Sequence, residues 1–251
     1  MPRLSGVDFS LTELEINSMM IDFVTPRCAR LHGESAPVVL GISPFNSYFS
    51  EQVITEIAEW ASAAGSDYYL YIPDGPSKFT LQAMGYEESK ASRKAGRQNK
   101  YLENKIYRAL GKLGQSDKEI ARRMLNSKRL DTDSVHQAIL AQVHDLWQND
   151  ESFKQGCVDT AHWVLRNRRR QQKTWNDASL ELAARYFLAE LPLFLRSPEI
   201  INSPSAVFCY HQCPGFVRTL YEQGAYGLLH DSQGFVIRAP KSGAINGESV
   251  N

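Results

Sequence analysis

A short apolar run, Val38-Val39-Leu40-Gly41-Ile42, starts after Pro37 and stops at Ser43-Pro44, and it limits the folds open to this chain more than any other feature. Apolar residues on consecutive rather than alternating positions suit a strand covered on both faces, the condition of a parallel sheet. Helical spacing comes next: Val53, Ile54, Ile57, Ala58 and Ala61 recur on one face between about Phe49 and Ala64. Gly65-Ser66-Asp67 then punctuates before a second run, Tyr68-Tyr69-Leu70-Tyr71-Ile72. Strand, helix, strand in that order is the right-handed crossover unit of an α/β sheet.

Pro73-Asp74-Gly75-Pro76 closes the second strand, and helical patterns follow at about Glu87–Leu113, Asp117–Asn126, Ser134–Trp147, Ser152–Arg169 and Asp177–Leu195. Ala206–Tyr210 reads as another buried strand, and Tyr226–Leu229 and Gly234–Arg238 are expected to pair near the end. With 251 residues, 43% of them apolar, the chain can bury one substantial core, so residues 1–251 are expected to form a single domain. Residues 1–36 show no sustained period, and residues 241–251, rich in Ser, Gly and Asn, are expected to fray.

Lys and Arg number 28 against 28 Asp and Glu, so attraction to a polyanion or an anionic bilayer has to be local. Asp8, Glu13 and Glu15 interrupt the first apolar positions, which argues against a secretory signal. Glu181, Arg185 and Glu190 interrupt Leu180–Leu195, which argues against a membrane span. The expected address is the cytoplasm. Cys28, Cys157, Cys209 and Cys213 make no disulfide framework in a chain this long. Cys209-x-His211-x-Cys213 lacks the second ligand pair of a structural zinc site, so reduced thiols and no metal are expected.

Local charge exists in one place. Lys90, Lys94, Arg97, Tyr101, Lys105, Arg108 and Lys112 step by three or four along the longest helical pattern, and Arg93 and Lys100 widen this cationic stripe. Ala91, Ala95, Leu102, Ile106, Ala109 and Leu113 keep the same period about 100° away, so one face buries while the other is positive. A solvated face is the ordinary explanation of such a stripe. Like charges at this spacing, however, repel by roughly 0.2–0.5 kcal/mol per pair, and so complete a segregation points to RNA phosphates. Arg166, Arg168, Arg169, Arg170 and Lys173 extend the same character downstream.

Three clusters carry candidate chemistry. Ser43 ends the first strand just before a helix, at the edge where α/β sheets bind ligands and helix N–H groups favour negative charge. Its ordinary role there is a helix cap, and the hydrolase elbow Gly-x-Ser-x-Gly lacks its second glycine in this sequence. Tyr186 and Glu190, four apart, share one helix face, and Pro192 is expected to kink that helix. A phenol and a carboxylate aimed into a pocket suit an ammonium group; a solvated Glu190 is the plain alternative. Cys209-Tyr210-His211 ends a strand, where a core tyrosine and histidine are the default.

Together Gly41-Ile42-Ser43, Asn46, Tyr186-x-x-x-Glu190-x-Pro192 and Tyr210-His211 resemble the signature of the tRNA-dependent cyclodipeptide synthases, over roughly Val38–Pro214. Asn46 with Tyr210-His211 is similar to the Asn-Tyr-His subgroup. The resemblance implies a Rossmann-like parallel sheet flanked by helices, as in the catalytic domain of class I tyrosyl- and tryptophanyl-tRNA synthetases. It implies a ping-pong reaction on two aminoacyl-tRNAs that yields a 2,5-diketopiperazine, without ATP, cofactor or metal. Ser43 would take the first aminoacyl group as an ester, Tyr186 and Glu190 would hold its ammonium, and Tyr210 would assist positioning or proton transfer. Gly41, Asn46 and His211 would support the site, Asn167 and Arg168 would lie near the second substrate, and the basic helix with Lys90, Arg93, Lys94, Arg97, Lys100, Lys105 and Arg108 would take tRNA. Pro37, where the family often has His, and Gln212-Cys213-Pro214, where some members carry an acid, depart from the pattern.

The chain shows no Walker loop and neither activation motif of the synthetases, His-Ile-Gly-His and Lys-Met-Ser-Lys-Ser, which fits transfer of an already activated ester. Two other readings use only part of these features: a non-catalytic RNA-binding protein needs the basic helix alone, and a serine acyl hydrolase needs Ser43 alone. Val39, Gly41, Tyr69, Tyr71 and Phe208 are expected around the first amino acid, and the bulk of the tyrosines predicts a small one. Tailoring enzymes acting on the product, such as oxidases, are the remaining expected partners.

Overall fold

The computed structural model describes residues 19–63, 67–168 and 174–240; the expected frayed tail, residues 1–18, and Arg169, Arg170 and Lys173 lie outside them. Six strands form one sheet: β1 (Met19–Phe23), β2 (Val38–Gly41), β3 (Tyr68–Tyr71), β4 (Met124–Leu125), β5 (Ala206–Tyr210) and β6 (Gln233–Pro240). Their order is β1-β6-β5-β2-β3-β4, and every neighbouring pair is parallel except β1 with β6. The sheet is therefore mixed, with one antiparallel edge.

Between the strands lie α1 (Pro26–Gly33), α2 (Glu51–Ala63), α3 (Ser77–Ala83), α4 (Glu88–Lys112), α5 (Asp117–Arg123), α6 (Ser127–Leu130), α7 (Ser134–Asn149), α8 (Glu151–Arg168), α9 (Asp177–Ile200) and α10 (Gly215–Gln223). Val38 and Leu40, with Leu70, Val207 and Cys209, pack against α2, α4 and Ile120 of α5. Val39, Tyr71, Phe208 and Phe235 point the other way, into a core shared with α7, α8, α9 and α10. Burial on both faces is why the first strand is apolar at successive positions.

Winding explains where a site can form. From β2 the chain steps outward through β3 to β4, then returns to lay β5 on the opposite side of β2. The connections after β2 and β5 therefore leave in opposite directions, which opens a crevice at the carboxyl ends of those two strands. Ser43 follows one strand end and Tyr210-His211 the other.

Four expectations change. Met19–Phe23, in the segment without a period, forms a strand because it pairs with β6 at the sheet edge, where Met20 and Ile21 stay 47% and 40% exposed. The helix expected to Asn126 stops at Arg123, since Met124 and Leu125 pair with Leu70 and Tyr71. Tyr226–Leu229 is not a strand: Tyr226 and Gly227 take positive φ values of 57° and 78°, which turn the chain, while Gly234–Arg238 pairs within β6.

The fourth concerns α9, which carries Pro192 inside its helix; the non-helical residue is Arg196, φ −145° and ψ 39°, two before Pro198. Pro198 has no N–H for the Phe194 carbonyl. The Tyr221 hydroxyl donates to it instead, and Leu229 N donates to the Leu195 carbonyl at 3.1 Å.

Candidate active site

Ser43 lies one residue beyond Ile42, whose N–H donates to the Tyr71 carbonyl at 2.9 Å. It does not cap α2. The loop Pro44–Ser50 intervenes, with Phe45 at a left-handed φ of 59°, and Ser50 Oγ accepts from Val53 N at 3.1 Å as the cap. The expected placement just before the helix is corrected accordingly. Ser43 is 5% exposed. Among the described residues its hydroxyl joins two phenols, Tyr210 at 2.7 Å and Tyr186 at 3.3 Å. Gly41 makes this convergence possible, because a Cβ there would stand 2.8 Å from Phe208 Cζ and 3.1 Å from Tyr210 Cδ2.

One helical turn of α9 places Tyr186 and Glu190 on the same helix face, and with Ser43 both line a cavity of about 60 Å³. Burial, reinforced by the Glu190 carboxylate, pushes the phenols of Tyr186 and Tyr71 well above the ordinary tyrosine range. Both hydroxyls stay protonated at neutral pH, so each can donate as well as accept. The negative charge in this wall belongs to Glu190, which a substrate ammonium would match. Of the residues expected to shape the pocket, Gly41 and Phe208 line it, whereas Val39, Tyr69 and Tyr71 do not. Thr160, Trp163 and Val164 of α8 line it without having been singled out; their three- and four-residue spacing is the signal that could have found them.

His211 is held from several sides. Tyr48 N donates to Asn46 Oδ1 at 3.1 Å, which turns the amide so that Asn46 Nδ2 donates to His211 Nε2 at 2.8 Å. Tyr48 stacks on the imidazole at 4.5 Å, and Phe49 meets it edge-on at 5.5 Å. Burial pushes the imidazole pKa down to about 4, so the ring is neutral and its Nε2 lone pair is used by Asn46. This histidine is a fixed wall and not a base directed at Ser43, unlike the arrangement a Ser-His-Asp hydrolase requires. The buried thiol of Cys209 is pushed up to about 12, and among the described residues no three His, Cys, Asp or Glu side chains gather as a metal site. Nor is any described helix long and apolar enough to cross a membrane.

The long basic helix is α4, with Ala91, Ala95, Leu102, Ile106, Ala109 and Leu110 buried; Leu110 replaces the half-buried Leu113 of the expected set. Its cations divide into two groups. Lys90, Arg93, Arg97 and Lys100 are exposed near its first half. Lys94 donates to the Tyr86 hydroxyl at 2.9 Å and Lys105 to the Phe49 carbonyl at 2.7 Å. Arg108 and Lys112 pair with Glu51 at 2.9 and 2.6 Å. A groove of about 600 Å³, bordered by Lys94, Tyr86, Asn46 and His211, shares Trp163, Val164 and Tyr210 with the cavity, so it links α4 to Ser43. Asn167 and Arg168 belong to the last turn of α8, and their side chains lie outside the described residues.

A family model described as cyclodipeptide synthase matches residues 19–240. The cyclo(L-leucyl-L-leucyl) synthase of Staphylococcus haemolyticus is 29% identical over 234 residues, 90% of this chain and 97% of its own length. The solved structure of a cyclodipeptide synthase from the same organism superposes with a TM-score of 0.80 at 27% identity, over 89% of this chain and 100% of its own. A Mycobacterium tuberculosis protein, described as demonstrating that cyclodipeptide synthetases are related to type I tRNA synthetases, superposes with a TM-score of 0.78 at 25% identity, over 89% and 94%.

Proposed function

This chain belongs to the cyclodipeptide synthase family, and from that premise we propose that it joins the amino acids of two aminoacyl-tRNAs into a 2,5-diketopiperazine through an ester on Ser43. The observation that carries this reading is the buried Ser43 hydroxyl, bonded to Tyr210 and Tyr186 in a cavity that also contains Glu190. In the first step Ser43 Oγ attacks the aminoacyl carbonyl and the terminal ribose oxygen of tRNA leaves. The serine proton passes to that oxygen, with Tyr210 at 2.7 Å as the group placed to relay it. No ATP is consumed, because the aminoacyl ester is already activated.

The bound amino acid keeps its ammonium against Glu190 and the Tyr186 hydroxyl. The amine of a second aminoacyl-tRNA then attacks the Ser43 ester, which forms the peptide bond and returns the proton to serine. The first amine, once neutral, attacks the remaining ester, closes the ring and frees the second tRNA. Glu190 is the group placed to take the proton each attacking amine loses and to pass it to the leaving oxygen, Ser43 Oγ in the first attack and the tRNA ribose oxygen in the second. Asn167 and Arg168, at the end of the helix that lines the cavity, are assigned to the second substrate.

Asn46, Tyr210 and His211 support membership of the Asn-Tyr-His subgroup: the first and last are hydrogen-bonded to each other, and the middle one to Ser43. Lys90, Arg93, Lys94, Arg97, Lys100 and Arg108 are assigned to tRNA phosphates, the groove carrying the acceptor end from α4 to the cavity. Such substrates place the enzyme in the cytoplasm. A cavity of about 60 Å³ is less than half the roughly 150 Å³ that holds a benzene, so the first residue is small.

Incubation with radiolabelled aminoacyl-tRNAs, followed by mass spectrometry of the small products, tests the proposal. A cyclic dipeptide is the expected product, with Phe, Tyr and Trp absent from the aminoacyl ester trapped on Ser43. Free amino acid alone would instead indicate a hydrolase, and bound but unprocessed tRNA an RNA-binding protein.

A further inference from the structure

Lys105 stands within the cationic stripe of α4, yet its ammonium is turned toward the protein. Nζ donates to the Phe49 carbonyl at 2.7 Å and sits 5.0 Å from the Tyr101 ring centroid, and the side chain is half-buried. Phe49 is itself 2% exposed. Its ring lies 5.9 Å from Tyr210 and meets His211 and Tyr48 edge-on at 5.5 and 5.0 Å. The same residue lies in the loop Pro44–Ser50 that follows Ser43, with Phe49 N donating to the Asn46 carbonyl at 3.3 Å. Two residues on, Glu51 is clasped by Arg108 and Lys112 of the same helix.

We infer that Lys105 is a positioning residue for acyl transfer rather than a phosphate ligand. Its charge-assisted bond fixes the backbone of Phe49. Phe49 in turn backs the rings of Tyr210 and His211, so the Tyr210 phenol stays on Ser43. A catalytic hydroxyl needs its reacting partners placed to well within an ångström, and a slack loop behind Tyr210 loses that placement. The basic face of α4 thus has two roles: its other cations are offered to RNA, while Lys105 secures the loop that follows Ser43. This inference rests on Ser43 being the acyl acceptor.

Lys105→Met keeps the length of the side chain and removes the donor, and Lys105→Arg keeps charge and donors. Both are compared with the wild-type chain in single-turnover acylation by aminoacyl-tRNA across a salt series, with the thermal midpoint recorded for each. The expected result for Lys105→Met is an acylation rate constant about 10-fold lower, with the amplitude of trapped ester, the KM for aminoacyl-tRNA and the salt slope all unchanged. Lys105→Arg recovers most of the rate.

A phosphate contact gives the opposite split, a raised KM and a salt slope smaller by about one at unchanged rate constant, and would overturn the inference. A merely structural role lowers the amplitude together with the thermal midpoint and leaves the rate constant alone, which also overturns it; so do unchanged kinetics. If the methionine variant is not recovered folded, Lys105→Gln is judged by the same criteria. A wild-type chain that takes no label on Ser43 refutes the ester reading itself, and the role assigned to Lys105 with it.

Discussion

The cavity around Ser43 and the outer face of α4 treat charge in opposite ways. Around Ser43, burial keeps the phenols of Tyr186 and Tyr71 protonated and the His211 imidazole neutral, and Glu190 brings the carboxylate to the cavity wall. Along α4, Lys90, Arg93, Arg97 and Lys100 remain in water, where each is screened and worth little alone. A buried site depends on a few groups whose loss nothing replaces, whereas a charged face sums many small terms that salt erodes. Changes in the cavity should therefore act on turnover regardless of ionic strength, and changes on the helix should act on tRNA affinity and fade with salt.

Tyr210→Phe gives the sharpest contrast. It removes the 2.7 Å partner of Ser43 and should lower kcat on the order of 10²–10³-fold, with the salt dependence of KM unchanged. The triple change of Arg93, Arg97 and Lys100 to Glu should weaken tRNA binding about 10²-fold at low salt and reduce the slope of log affinity against log salt by about two, with kcat at saturation preserved. Filter binding across a salt series reads this; an equal loss in kcat would erase the distinction between the two regions.

Gly41→Ala is milder. Phe208, which would have to move, is wedged against Phe194 and Phe235, so the added methyl should cost about 1–3 kcal/mol of stability and about 10-fold in kcat. The smallest effect follows from His211. Its folded pKa of about 4 lies below the ordinary histidine value of 6.5, so the unfolded chain binds the proton more tightly. The associated stability is complete above about pH 6.5 and is lost as pH falls toward 4. Urea denaturation should show a loss on the order of 1–2 kcal/mol between pH 7 and 5, and His211→Asn should flatten that dependence.

The two regions also differ in how they can be read from the amino-acid order. The face of α4 is visible from spacing alone, because one helix contains all of it, but spacing does not reveal that Lys105 bends back to Phe49 or that Glu51 clasps Arg108 and Lys112. Those partners sit on the preceding loop and helix. The Val38–Ile42 and Tyr68–Ile72 runs identify the central strands, since burial on both faces leaves a continuous apolar record. Met19–Phe23 leaves none, because an edge strand is held by backbone pairing while Met20 and Ile21 face solvent.

The cavity was legible only as separate fragments. Ser43, Tyr186 and Tyr210 come from three elements distant in sequence, and only the return of the chain to β5 brings them within hydrogen-bonding reach. Pro192 suggested the wrong bend for a related reason: a proline inside a helix is tolerated where neighbours accommodate it, and the break falls beside Pro198, where the Phe194 carbonyl that Pro198 cannot serve accepts from the Tyr221 hydroxyl.

The most direct test of the account is peptide mapping of the enzyme after rapid acid quench with a labelled aminoacyl-tRNA. A single aminoacyl ester on the peptide that contains Ser43 is predicted, absent in Ser43→Ala together with all cyclic dipeptide. Label on another residue, or cyclic dipeptide from Ser43→Ala at the wild-type rate, would contradict it.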